Sequence, residues 1–168
     1  MPIRMQEDGL ADIIKTIYSL EDQAEFVASM SLYDGAAVMA DAINKEAKTI
    51  KTAPFHYAAV EGATTRLPSP EEKEIVMAAG TGIAKFDKNG AEVNTSVGYR
   101  NAGYADLNGK KKPIPLIVNS VNSGTSFMEK QPFFRQAVSR NRGKAQKAIE
   151  DKLLKMIEAS MNKKNGGT

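Results

Sequence analysis

The chain of 168 residues has no cysteine, no tryptophan and one histidine. Without cysteine there is no disulfide, thiolate metal site, iron–sulfur cluster or cysteine nucleophile, so stability has to come from packing. With His56 alone, a two-histidine metal site or a relay through a second histidine is excluded within one subunit. Glu61 is the acid that would partner His56 as a base, but the pair rests on sequence proximity only, and a solvated loop histidine is the stronger reading. Long apolar runs are also missing: no stretch approaches the roughly 18–20 residues of a membrane span, and Met-Pro-Ile-Arg-Met-Gln-Glu-Asp at the start lacks a signal's apolar stretch. A surplus of one charge is small too, with Lys+Arg 23 against Asp+Glu 20. That balance names no partner.

Hydrophobic residues at 42% and charged residues at 26% fit an ordinary globular chain. The length suits one domain, which buries about 68–70% of its unfolded surface. The expectation is a single domain over residues 1–161 and a polar, glycine-rich flexible tail over 162–168.

Leu10, Ile13, Ile14 and Ile17 repeat at helical spacing over residues 9–18. A capping signature at Ser19 and Asp22 then leads a second helix to about Ile50. Its expected apolar stripe is Phe26, Met30, Tyr33, Ala37, Ala40, Ala47 and Ile50, with Asp34-Gly35 as a bend or break. Alanines 36, 37, 40, 42 and 47 leave little bulk, so a neighbouring element packs closely. Ala53-Pro54 ends the helix. Residues 55–70 read as loop. Pro70, Glu71 and Glu72 suit the start of a short helix to Ala79, closed by Gly80 and Gly82, with the three acids of that region (Glu71, Glu72, Glu74) taken as a solvated first turn.

Residues 83–86 and 91–99 flank Asp87-Lys88-Asn89-Gly90, whose Asn-Gly is a strong hairpin signal. The second strand alternates, with Val93, Thr95, Val97 and Tyr99 on one face and Glu92, Asn94 and Ser96 on the other. Residues 101–113, with Asn108-Gly109 and Lys110-Lys111-Lys112, read as loop. Residues 114–122 place Ile117, Val118 and Val121 at helical spacing, with a strand in competition. Gly124 supplies a cap, and Pro132 opens a long final helix whose stripe runs from Phe134 through Ala137, Val138, Ala145, Ala148, Ile149, Leu153 and Met156 to Ile157. Helices, then a small antiparallel sheet, then a long C-terminal helix packed on it make the fold class α+β.

No constellation invites catalysis or a cofactor. Gly80-Thr81-Gly82 lacks the third glycine and the Lys-Ser/Thr of a phosphate loop. Arg135, Arg140, Arg142, Lys144 and Lys147, with Lys110–Lys112, are basic enough to meet phosphates, but lack interleaved stacking aromatics.

The segment Asn122-Ser-Gly124-Thr125-Ser-Phe-Met-Glu-Lys-Gln131-Pro132-Phe133-Phe134-Arg-Gln-Ala-Val138 resembles the signature of the tail-component family of long-tailed bacteriophages: Gly-Thr after a short helix, then Gln-Pro-Phe, then a long helix. The alanine-rich helix into Ala53-Pro54, and Thr65-Arg66-Leu67 after it, follow the same layout. The chain departs from the family at Arg66, where glycine is usual, and at Val121-Asn122-Ser123, where an acid and an aromatic are common. The resemblance implies a non-enzymatic tail-completion or neck protein, without cofactor, made in the host cytoplasm and placed in the virion where head meets tail. It further implies a ring, six-fold to match the tail tube, joined to head-closure, tail-terminator or tail-tube proteins and in non-specific contact with passing DNA. Candidate interface residues are Val93, Thr95, Val97 and Tyr99 of the hairpin and Lys110, Lys111 and Lys112 of the loop, because a two-stranded ribbon has edges to pair. A small basic nucleic-acid-binding protein is the alternative reading.

Overall fold

The computed structural model describes residues 24–53, 65–89, 92–101 and 103–165. The expected helix over 9–18, the cap at Ser19, and the pair His56 and Glu61 lie outside them. Four helices and three two-stranded antiparallel ladders make up the described residues, an α+β arrangement.

Helix α1 (Ala24–Ala47) lies antiparallel to the long α4 (Phe133–Asn165): Glu46 pairs with Arg140 at 2.7 Å near one end, and Asp34 with Lys152 at 3.8 Å further along. The buried row on α1 is Val27, Ser31, Gly35, Ala36, Ala40, Ala42, Ile43 and Ala47. Phe26 and Tyr33, placed in the core by the apolar periodicity, are instead 58% and 49% exposed. Size decides the interface: Ser31 enters it because its hydroxyl donates to the Val27 carbonyl at 2.8 Å, so no polar group is stranded. Gly35 is no break either. A Cβ there would overlap Ile149 Cγ1 and come within 2.7 Å of its Cδ1 and 3.0 Å of the Ala145 carbonyl oxygen. By length and composition α1 would also suffice to cross a membrane, so the expectation that no stretch approaches a span was too strict.

The main core gathers Ile43 and Ala47 from the end of α1 and Ile50 just beyond it, Val76 and Ala79 from α2 (Pro70–Ala79), Ile114, Val118 and Val121 from α3 (Ile114–Ser123), and Phe133 and Ala137 from α4. Lys73 Nζ donates to the Ile50 carbonyl at 2.9 Å and holds the chain leaving α1 against α2. Ser69 caps α2: its hydroxyl accepts from Glu72 N at 3.1 Å while Glu72 Oε2 accepts from Ser69 N at 2.8 Å. The expected solvated turn of acids therefore holds for Glu71 and Glu74, which are exposed, and fails for Glu72, which is buried. Burial raises the Glu72 carboxyl, and the two 2.6 Å bonds from Arg66, the Ser69 amide and the Arg66 charge outweigh it, so the net displacement is downward.

In the first hairpin β1 (Thr81–Ile83) pairs with β4 (Val97–Tyr99), and β2 (Asp87–Asn89) with β3 (Glu92–Asn94). Asp87 to Asn89, expected in the turn, are strand paired with Glu92 to Asn94, and residues 90 and 91 lie outside the described residues. Residues 84–86 lie opposite residues 95–96, an extra residue that makes a bulge. Thr95 Oγ1 donates to the Ala84 carbonyl at 2.9 Å and Ala84 N donates to the Ser96 carbonyl at 2.8 Å, which closes the gap between ladders. Val93, Thr95, Val97 and Tyr99 are half-buried, while Asn94 and Ser96 are exposed, as the alternation indicated.

The expected loop over 101–113 is a second hairpin, β5 (Tyr104–Leu107) with β6 (Lys110–Pro113). Asn108 and Gly109 both take positive φ, 56° and 71°, the mirror-image turn that matches strand twist. Leu107 is buried and Ala105 packs on the core, whereas Lys110, Lys111 and Lys112 are exposed.

Candidate functional site

Residues 121–134 form a junction on which four parts of the chain meet. Val121 O accepts from Gln131 N at 2.8 Å, and Asn122 Oδ1 accepts from Phe134 N at 3.2 Å, so the end of α3 caps the start of α4. Gly124 closes α3 through its N–H to the Ser120 carbonyl at 2.9 Å, with φ 77° and ψ 172°. This is a region essentially reserved for glycine. A Cβ would also stand 3.0 Å from Lys130 Cβ and N and from the Met128 carbonyl. Thr125 Oγ1 then accepts from Phe127 N at 3.2 Å and Met128 N at 3.0 Å. The tight turn that results buries Met128 and leaves Phe127 76% exposed.

Arg66 N donates to the Phe127 carbonyl at 2.9 Å, and Glu129 N to the Arg66 carbonyl at 2.8 Å, a parallel bridge that fastens residues 65–69 to the same turn. Gln131 Oε1 accepts from Lys51 N at 3.4 Å and brings in the segment after α1. The Pro132 carbonyl accepts from Gln136 N at 3.0 Å, which makes Pro132 the cap rather than the first helical residue. Phe133 is 3% exposed. Phe134 is half-buried and meets Tyr99 edge to face at 5.3 Å and Phe133 at 5.3 Å. Both rings thus serve the core, and Gly124, Thr125, Gln131, Pro132, Phe133 and Phe134 are brought together.

The interface candidates are not brought together. Val97 and Tyr99 pack against the core, and the Tyr99 hydroxyl donates to Asn119 Oδ1 at 3.1 Å, with burial raising its pKa. Val93 and Thr95 are half-buried on the outer part of the first hairpin, and Lys110 to Lys112 line an exposed strand of the second. Beside them, Tyr104 and Leu116 are 71% and 57% exposed. Sequence reasoning did not single these out, although Leu116 falls between the buried Ile114 and Ile117, and Tyr104 alternates with Ala105. An open cleft of about 500 Å³ lies between the end of α1 and the start of α4, lined in part by Lys45, Thr49, Lys51, Gln131 and Arg140. Gly80 alone closes α2, at φ 59°, and the turn expected over Gly80-Thr81-Gly82 is not formed: Thr81 and Gly82 are already in β1, paired with Tyr99 and Gly98.

Among the described residues no group of three or more His, Cys, Asp or Glu is placed to hold a metal, and every buried side-chain nitrogen or oxygen has a partner. Comparison of the chain with protein-family models, with curated proteins and with solved structures gives no match in any of the three.

Proposed function

We propose that this chain is a structural assembly protein at the head–tail junction of a long-tailed bacteriophage, working as a closed ring of identical copies. The observation that carries the reading is the segment from Gly124 to Val138: the residues of the family resemblance are those on which α3, α4, the end of α1 and the 65–69 segment converge. Residues that serve architecture suit a protein whose work is shape. A ring needs a heterologous interface, one patch meeting a different patch on the next copy with a rotation that closes. Large apolar side chains left in solvent, Phe127, Tyr104 and Leu116 among them, and the outer edge of the first hairpin supply unlike patches for such contacts.

The deciding experiment removes the gene from the parent phage or prophage, induces it, and counts heads, tails and joined particles by negative-stain electron microscopy. DNA-filled heads beside unattached tails, rescued by the supplied protein, are expected. Normal infectious particles would remove the reading.

A further inference from the structure

From Lys130 to Ile149 the chain carries six cations, Lys130, Arg135, Arg140, Arg142, Lys144 and Lys147, and no acid. All six are exposed. Among the described residues Arg140 alone of the six is ion-paired, with Glu46 of α1, and Glu129 and Glu150 bound the stretch on either side. The near balance of the whole chain therefore hides a strongly basic half-helix.

The five on α4 fall in two rows. At about 100° per residue, Arg135 and Arg142 share one flank, while Arg140, Lys144 and Lys147 share another roughly 150° away. Between the rows the crown of the helix holds Gln136, Ser139, Gly143 and Gln146, all exposed and uncharged. Gly143 has no reason to be glycine within the chain itself. A Cβ there would meet nothing within 4 Å, yet glycine inside a helix is less stable than alanine. Its smallness clears space outside the molecule.

We propose that this half of α4 is a binding site for double-stranded DNA, with the two cation rows on phosphates of opposite strands and the Ser139–Gly143–Gln146 crown turned to the groove between them. An α-helix of ~10–12 Å diameter fits a major groove about 12 Å wide. The rows span about 18 Å along the axis, enough for several phosphates. A single strand would call for stacking aromatics, and residues 135–147 contain none. The contacts are to the backbone, so recognition is of duplex and not of sequence. This site does not depend on the head–tail reading, since it is measured on the purified chain.

The test is fluorescence anisotropy with a labelled random-sequence 20-base-pair duplex from 50 to 200 mM salt. With five phosphates neutralised, log Kobs against log salt should fall with slope about −4.5, and Arg135→Gln/Arg142→Gln or Lys144→Gln/Lys147→Gln should each flatten it by about 1.8. Gly143→Leu should weaken binding at least tenfold at every salt concentration, and Gly143→Ala less. Lys110→Gln/Lys111→Gln/Lys112→Gln on the second hairpin is the control and should leave the slope unchanged. No binding at 50 mM salt, equal flattening by the hairpin control, wild-type binding by Gly143→Leu, or tighter binding of a single strand would each overturn the proposal.

Discussion

Replacing Gly35 probes the contact between α1 and α4. An added methyl has two opposite effects. It removes the intrinsic cost of a helical glycine, worth about 1 kcal/mol, and it drives a carbon into Ile149 and against the Ala145 carbonyl. Ile149 can turn aside in part, but the carbonyl belongs to the α4 backbone and moves only with the helix. Overpacking of this kind costs about 1–3 kcal/mol, so Gly35→Ala should lose about 1 kcal/mol net, and Gly35→Val, with two more methyls and little propensity gain, about 3 kcal/mol. Urea denaturation at constant m-value reads the difference, and about 1 kcal/mol lowers Tm by about 2–4 °C at this size. Ile149→Ala should be destabilising alone yet partly rescue Gly35→Ala, because it removes the Cγ1 and Cδ1 atoms that the new methyl strikes. A Gly35→Ala protein more stable than the wild type by the full propensity gain would refute the close crossing, as would a double mutant with no coupling.

Glu72→Gln should cost about 2 kcal/mol, below the usual ~3–5 for a broken buried pair because Arg66 is a third open to solvent. Since the folded Glu72 carboxyl titrates below its unfolded value of about 4.3, its contribution is complete above that pH and lost as pH falls through the lower folded value; Glu72→Gln should flatten that acid limb in pH-dependent urea melts. Gly124→Ala combines a glycine-only backbone conformation with contacts at 3.0 Å and should lose about 2–4 kcal/mol by the same melts, against a gain of about 1 kcal/mol for Gly143→Ala at an open helical position. Asn108→Ala removes the residue type that tolerates φ 56° and should cost about 1 kcal/mol, seen as faster amide exchange across Tyr104–Leu107 than in the first hairpin.

The layout was legible in sequence wherever backbone chemistry is local. Pro70 with the acids after it marks α2, the Ile117, Val118 and Val121 spacing marks α3, and Pro132 marks the start of α4. The failures have separate causes. Hydrophobicity pointed to Phe26 and Tyr33, whereas the α1 interface selects small volume, and only the position of α4 reveals that. Asn108-Gly109 carries the same turn signal as Asn89-Gly90, but the run of lysines after it hides the alternation, because β6 lies in solvent and buries only its end. Glu72 reads as one acid among three until Arg66 comes in from the preceding segment. At the candidate site, the resemblance picked out residues that the fold does bring together, while the hairpin residues divided between core and surface, since Val97 and Tyr99 face inward.

The antiparallel pairing of α1 with α4 also sets an order of events at the ribosome. α1 ends at Ala47 and its partner is not complete until Asn165, so roughly 120 residues are made in between, about 6–24 s at ordinary elongation rates. For that interval the face of α1 that α4 covers, with Gly35 against Ile149, waits without its partner. Contacts so distant in sequence make folding slow and leave the nascent chain dependent on whatever shields α1, so a product truncated before α4 is a substrate for chaperones and proteases and not a shorter version of the domain.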